Sequence, residues 1–388
     1  MIRTMPDIVV IGGGITGAAT ADALVREGHA VTLIEAKRIA AMASGWTLGG
    51  VRQSGRDPAE LPLARAAVTI WAGLRDTLGA DVEYRRNGNL RLARTPAEVD
   101  AIRTLVERQR DQGLDIEFLA DNDAVRTIAP ALSPDILAAS FCPTDGHANP
   151  VKATRGFAES ARSHGATIRE GVAANAIRAA RDRVTGVETD AGFLPADRVV
   201  VAAGVNTPGL LRPLELDLPL SIKTVTVVQS EPLAPCLDQV FGVANADCAG
   251  RQEVDGRLRF TGGLGEWGLD PGGWTTESLA PSVRDVRNVV ELVAHVLPAA
   301  GRAPIAHSWG GLIDLTPDAL PVIDAPESVA GLVVAAGFSG HGFCLGPISG
   351  LLCTDLALAR RPRLDLSAFR LGRFKDRANA AAHPTLHG

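Results

Sequence analysis

No two of the five cysteines, Cys142, Cys236, Cys248, Cys344 and Cys353, form a Cys-x-x-Cys pair. Odd in number and widely scattered, they exclude a disulfide framework and a zinc site, and they fit a reducing compartment; no metal site is expected. Long blocks of Lys and Arg are also missing, and the formal net charge is -5. That balance excludes nucleic acid and an anionic membrane surface as partners. No apolar run approaches the roughly 20 residues of a membrane span. The opening segment MIRTMPDIVVIGGG runs straight into a strand, with no apolar segment ending in a cleavage site. A signal peptide is therefore not expected, and the expected location is cytoplasmic. Internal repeats are absent as well.

What is present is an ordinary globular composition, 46% hydrophobic and 21% charged over 388 residues, enough for two or three domain-sized units. Asp7 to Ile11 reads as a short apolar strand. Gly12, Gly14 and Gly17 follow in G-x-G-x-x-G spacing, then an Ala-rich helix ended by Gly28, then a strand from Val31 to Ile34 closed by Glu35. This is a βαβ unit. Thr95 to Gly113 predicts a helix with a Thr cap and Pro at its first position. VKATRGFAESARSHGATI reads as helix, glycine stop and strand. The segment from Val172 to Gly204 reads as several strands with turns at Thr185-Gly186 and Ala191-Gly192, and QEVDGRLRFTGG as a hairpin turning at Asp255-Gly256. Pro281 to Pro298 predicts an amphipathic helix. GLVVAAGF reads as a buried strand, and a helix is expected to open near Pro347.

The glycine spacing has a physical reason. Gly12 permits the tight strand-to-helix turn, Gly14 lets the backbone approach a pyrophosphate, and Gly17 lets helix and strand pack closely. The pyrophosphate then meets the free N–H groups of the helix N-terminus. Glu35 stands where a carboxylate would accept hydrogen bonds from a ribose diol, which suits an unphosphorylated ribose, that of NAD or FAD. The Ala-, Ser- and Gly-rich loop that follows, ending in Gly49-Gly50-Val51-Arg52, favours FAD: small residues there can run beneath a flavin ring, with Ser44 near the phosphates. NAD alone also gives no reason for the late Gly-rich turn GFSGHGF.

Taken together, VVIGGGITGAATADALVREGHAVTLIE, ASGWTLGGVR, DGHANP, VVVAAGVNTPGLL, SWGGLIDLTPDALPVID and GFSGHGFCLGPISG resemble, in this order, the D-amino-acid oxidase/sarcosine oxidase superfamily of FAD-dependent amine oxidoreductases. The chain is most similar in flavour to sarcosine oxidase β-subunits and to opine, hydroxyproline and glycine dehydrogenase subunits. The resemblance implies an α/β fold: a glutathione-reductase-type Rossmann FAD domain (1–85, 145–215 and 305–375) interleaved with an α+β substrate domain built on an antiparallel sheet (86–144 and 216–304), and a flexible tail at 376–388. It implies non-covalent FAD held by Gly12, Gly14, Ile15, Thr16, Gly17, Glu35, Ala36, Lys37, Ser44, Gly49, Gly50, Val51, Val172, Ala203, Gly204, Gly311, Gly337, Phe338, Ser339, Gly340, Gly342 and Phe343. It also implies oxidation of the C–N bond of an amino acid or secondary amine. The late glycine turn would lie against the flavin, and the helix after it would aim its positive end at the ring edge that becomes negative on reduction.

Arg52 is the first candidate for a charged active-site residue, since a guanidinium holds a carboxylate with two bonds. Its alternative is a structural or cofactor contact. His341 could add a hydrogen bond or a proton near the substrate, or only brace the turn. Three departures from the family pattern stand out. Gly311 occupies the place of the cysteine that carries covalent FAD in monomeric sarcosine oxidases. Cys344 replaces the lysine near substrate and oxygen, and Asn206 a frequent Trp. A second G-x-G-x-x-G and paired redox cysteines are both missing, which argues against a disulfide reductase. Partner subunits or an external electron acceptor stay open. So do a flavoprotein without amine chemistry and an NAD-dependent dehydrogenase.

Overall fold

The computed structural model describes residues 7–268, 273–275 and 277–375; the tail expected at 376–388 lies outside them. Strand β1 (Ile8–Ile11) is buried at every residue. It has parallel neighbours on both sides, β2 (Val31–Glu35) and Arg198–Val201. A strand covered on both faces needs a continuous apolar run, and IVVI supplies it. Helix α1 (Ile15–Arg26) joins β1 to β2, as the spacing predicts. The six-stranded sheet continues outward from β2 to Thr167–Glu170. On the other side it continues through Leu332–Ala336 to Val322–Asp324, its one antiparallel member.

The helix Gly342–Ala357 lies along α1 and is buried almost all round. Two of its glycines set the approach. A Cβ at Gly346 would fall 2.4 Å from Ile15 Cγ2, and one at Gly350 would fall 2.6 Å from Ala19 Cβ. The expected opening near Pro347 is corrected: the helix opens at Gly342 and carries Pro347 inside it. Proline removes one helical donor there, yet the first turn holds, with Trp71 Nε1 donating to Cys344 O at 2.9 Å.

An eight-stranded sheet forms the second layer. Its order is Ile305–Leu315, Ser221–Pro232, Arg257–Glu266, Ala249–Gln252, Val240–Val243, Asn89–Ala93, Ala138–Cys142 and Glu117–Leu119. It is antiparallel except where Val240–Val243 runs parallel to Asn89–Ala93. The hairpin at Asp255-Gly256 joins two of its strands. The helix Val283–Val296 packs on it, opened by a reciprocal Ser282–Asp285 cap, and Val289 and Val293 join Leu90, Phe241 and Phe260 in its core.

A small three-stranded sheet holds one further correction. The turn expected at Thr185-Gly186 lies instead at Arg181 and Asp182, with φ of 49° and 59°. Two positive φ values match the right-handed twist of a two-residue hairpin. Thr185-Gly186 sits inside Arg183–Thr189, at a register shift.

Candidate functional site

The carboxyl ends of β1 and Arg198–Val201, the loop after β2, the late glycine turn and one face of the eight-stranded sheet enclose a single cleft. At its first end, a Cβ on Gly12 would lie 2.2 Å from Ala202 O, and one on Gly17 would lie 2.0 Å from Gly12 O. Neither position admits a larger residue. α1 opens at Gly14 with no side chain of its own as a cap; Ser44 Oγ reaches across to accept from Ile15 N–H at 2.9 Å. Glu35 accepts from Gly13 N–H at 2.7 Å and from Lys37 N–H at 2.8 Å. Burial raises its carboxyl above the ordinary value, against those two bonds. A glycine cradle, a helix start with exposed donors and an acid at the next strand end fit the diphosphate and ribose of a dinucleotide.

At the other end lies the turn Gly337–Gly340, with positive φ at Gly337, Ser339 and Gly340. Asp314, at the end of Ile305–Leu315, anchors it. Its Oδ2 accepts from Gly337 N–H at 2.8 Å and its backbone O from Ser339 N–H at 3.0 Å. Burial pushes the Asp314 carboxyl up to about 6, against the Gly337 bond. The chain passes from this turn straight into the helix at Gly342. The first-turn donors of that helix thus open onto the cleft beside Phe338, Gly340 and His341. This geometry suits a flavin ring edge that gains negative charge.

Against this second end sits a buried cluster of charge. Arg52 and Arg56 both line the cleft, and Arg91 stands behind them. Arg52 Nη1 donates to Ser54 O at 2.8 Å. Burial, with Arg56 and Arg91 beside it, pulls the Arg52 guanidinium well below its ordinary value; burial, then Arg56, brings Arg91 down to about 10. Guanidinium groups stay protonated at working pH, so these directions register crowded positive charge. Asp145 answers part of it, fully buried and accepting from the backbone N–H groups of Gln53 and Ser54 and from Ser54 Oγ. Glu60 answers another part. It lies at the start of the helix Leu61–Ala72, which packs against the helix Gly342–Ala357. One Glu60 oxygen is 3.5 Å from Arg56 Nη1 and 2.9 Å from His341 Nδ1. Burial alone would raise the Glu60 carboxyl; His341 and Arg56 hold it below its ordinary value instead. Burial and Arg56 push His341 down to about 4, against Glu60.

Many residues picked out in the sequence face this cleft: Gly12, Gly14, Ile15, Thr16, Glu35, Ala36, Lys37, Ser44, Gly50, Arg52, Ala203, Gly204, Gly311, Phe338, Gly340, His341, Gly342 and Phe343. Six others stand behind its walls. Gly17 packs on Gly12, and Gly49 on Ala148. Val51 is buried in a strand pair with Gly146. Val172 donates its N–H to Glu35 O. Gly337 and Ser339 bind inward, to Asp314 and Thr316. Gly311 offers no attachment atom, and Cys344 is turned away, its Sγ on Arg52 O at 3.3 Å. Sequence reasoning missed Arg56, Glu60, Asn89 and Asp314. Only Arg56 carried a signal, as a second arginine in the short loop that holds Arg52.

A family model described as FAD dependent oxidoreductase matches residues 7–356. The chain is 28% identical to sarcosine oxidase subunit beta of Rhizobium meliloti, over 98% of this chain and 92% of that one. It is 28% identical to glycine oxidase of Geobacillus kaustophilus, over 95% of this chain and 97% of that one. Among solved structures, L-proline dehydrogenase from P. horikoshii superposes with a TM-score of 0.88 at 26% identity, covering 96% of this chain and 99% of that one.

Proposed function

Because the chain belongs to the family of FAD dependent oxidoreductases, we propose that it oxidises the C–N bond of an amino acid or secondary amine bearing a carboxylate, giving an imine that water hydrolyses. One observation carries this reading: Arg52, Arg56 and His341 meet in one cleft, opposite an apolar strand wall and beside the first turn of the helix Gly342–Ala357. FAD, when bound, supplies the hydride acceptor. Gly12, Gly14, Ser44 and Glu35 would hold its dinucleotide end, and the turn from Gly337 to Phe343 its ring end. With Gly311 and the inward Cys344 at the two departures from the family pattern, it is held without a covalent bond.

The chain's own residues do the rest. Arg52 takes the carboxylate with a two-pronged hydrogen bond, fixing the substrate's orientation. His341, kept neutral by burial and Arg56, offers an acceptor to the amine N–H. Val225, Val227, Phe241 and Leu264 from the eight-stranded sheet exclude water and pack on the substrate's apolar part. Free thiols at all five cysteines favour the cytoplasm for this reaction.

The test is anaerobic mixing of the purified protein with sarcosine, glycine, D- and L-proline, hydroxyprolines, D-amino acids and opines, watching the visible flavin bands. Bleaching by one compound names the substrate class, and readmitted air separates oxidase from dehydrogenase. A yellow protein bleached by none of them rejects the reading. The likeness to a sarcosine oxidase β subunit favours a second form of it, in which electrons leave through a partner subunit. Slow reoxidation in air would mark that form.

A further inference from the structure

Three polar atoms of this cluster are buried without a hydrogen-bond partner, His341 Nε2, Arg56 Nη1 and Glu60 Oε2, the last two standing 3.5 Å apart as an ion pair. The His341 and Arg56 side chains line the same cleft. His341 is 5% exposed, Arg56 1% and Glu60 0%. Leaving His341 Nε2 bare, and Arg56 Nη1 with only a long ion pair, is unfavourable, so a site that keeps them is built for a ligand that pairs them. One is an acceptor and the other a donor. The matching ligand brings an N–H and a carboxylate oxygen.

We propose that Glu60 is the positioning residue of this site: it holds the proton of His341 on Nδ1, turns the Nε2 lone pair into the cleft, and is shared with Arg56 so that an incoming carboxylate tightens its hold on His341. The inference rests on the amine-oxidising reading and deepens it. The geometry gives the coupling. His341 Nδ1 hydrogen-bonds Glu60 Oε1 at 3.1 Å and lies 2.9 Å from Oε2, the oxygen that stands 3.5 Å from Arg56 Nη1, so one carboxylate faces both cations. A carboxylate that engages Arg56 neutralises the cation that most opposes a proton on His341, and leaves the Glu60 charge to the imidazole. The charged groups acting on His341 are Arg56, Glu60 and Arg52. Substrate then raises the proton affinity of His341 only once its carboxylate is seated. If the substrate arrives as an ammonium ion, its proton passes from nitrogen to Nε2, leaving a neutral amine and an imidazolium balanced by Glu60.

The test uses the flavin-loaded protein and methoxyacetate, a carboxylate whose ether oxygen can only accept. Its binding is followed by calorimetry between about pH 5 and 6 in buffers of different ionisation enthalpy. The wild type is expected to take up close to one proton per ligand, Glu60→Gln much less, and His341→Asn none. Glu60→Asp, which keeps the charge, restores part of the uptake. Amine-driven flavin bleaching in Glu60→Gln should fall by about 10²-fold, within the range for acid–base assistance. No uptake by the wild type, or equal uptake by Glu60→Gln, overturns the proposal. If amines bleach the flavin while uptake is absent, this inference fails and the amine-oxidising reading stands. If no amine bleaches it, that reading fails first. Where Glu60→Gln does not hold flavin, the comparison of wild type, Glu60→Asp and His341→Asn decides.

Discussion

At the residue scale, charge is what the site has had to manage. Three guanidinium groups, from Arg52, Arg56 and Arg91, share a buried region with the carboxylates of Glu60 and Asp145. The surplus is one positive charge, which suits one substrate carboxylate. Lysine keeps the charge but loses the fork, so Arg52→Lys should raise KM for carboxylate-bearing amines by roughly 10- to 100-fold and change kcat less. Steady-state kinetics on the amine found by flavin bleaching measures this. Asp314 and His341 make a second prediction because they pull stability in opposite directions. His341 is lowered from 6.5 to about 4, so its contribution is full above 6.5 and is lost as pH falls toward 4. Asp314 is raised from 3.8 to about 6, so its contribution is full at low pH and is lost as pH rises through 6. Across that window they partly cancel. Asp314→Asn removes the opposing contribution, and stability should then fall more steeply on acidification, by roughly 2 kcal/mol between pH 6 and 4. Urea denaturation at several pH values checks it; parallel curves for the two proteins would refute the assignment.

At the element scale, the crossing of α1 and the helix Gly342–Ala357 fixes the distance between the two ends of the cleft. Gly350→Val should push these helices apart, lowering stability by about 1–3 kcal/mol and loosening the flavin. Thermal melting and flavin retention on a gel-filtration column report the two effects. The same elements show what was legible in the sequence. The β1–α1–β2 unit was, because its strand, glycines, helix and acid are consecutive and each has a local signature. The helix cap at Thr95 and the hairpin at Asp255-Gly256 were legible for the same reason. The start of the helix at Gly342 was not. Its boundary is set by Asp314 gripping the preceding turn and by Trp71 holding the Cys344 carbonyl, both from distant segments. Glu60 was invisible for a related reason. An acid in DPAELPLAR carries no local mark, and only packing of Leu61–Ala72 on the later helix brings it to His341. The turn at Arg181-Asp182 misled because Gly186 looked like the turn residue and serves a register shift instead.

At the scale of the whole molecule, FAD bound in the cleft would be a structural member. The cleft runs between the six- and eight-stranded sheets, so its occupant bridges both. Stripping FAD should lower the melting midpoint, and adding it back should restore it, by about 1.4 kcal/mol for each tenfold excess over Kd. NAD should give no such rise; an equal rise with NAD would point back to the simple dehydrogenase. The order in which the site is assembled has a consequence of its own. The β1–α1 cradle leaves the ribosome long before the strand Leu332–Ala336 that joins its sheet and the helix that covers α1. Until those elements emerge, the nascent chain exposes the apolar face of α1 and holds only half of a cofactor site. Flavin loading would then have to wait for the Gly342–Ala357 helix, and a cell short of FAD would meet this protein first as a client for chaperones.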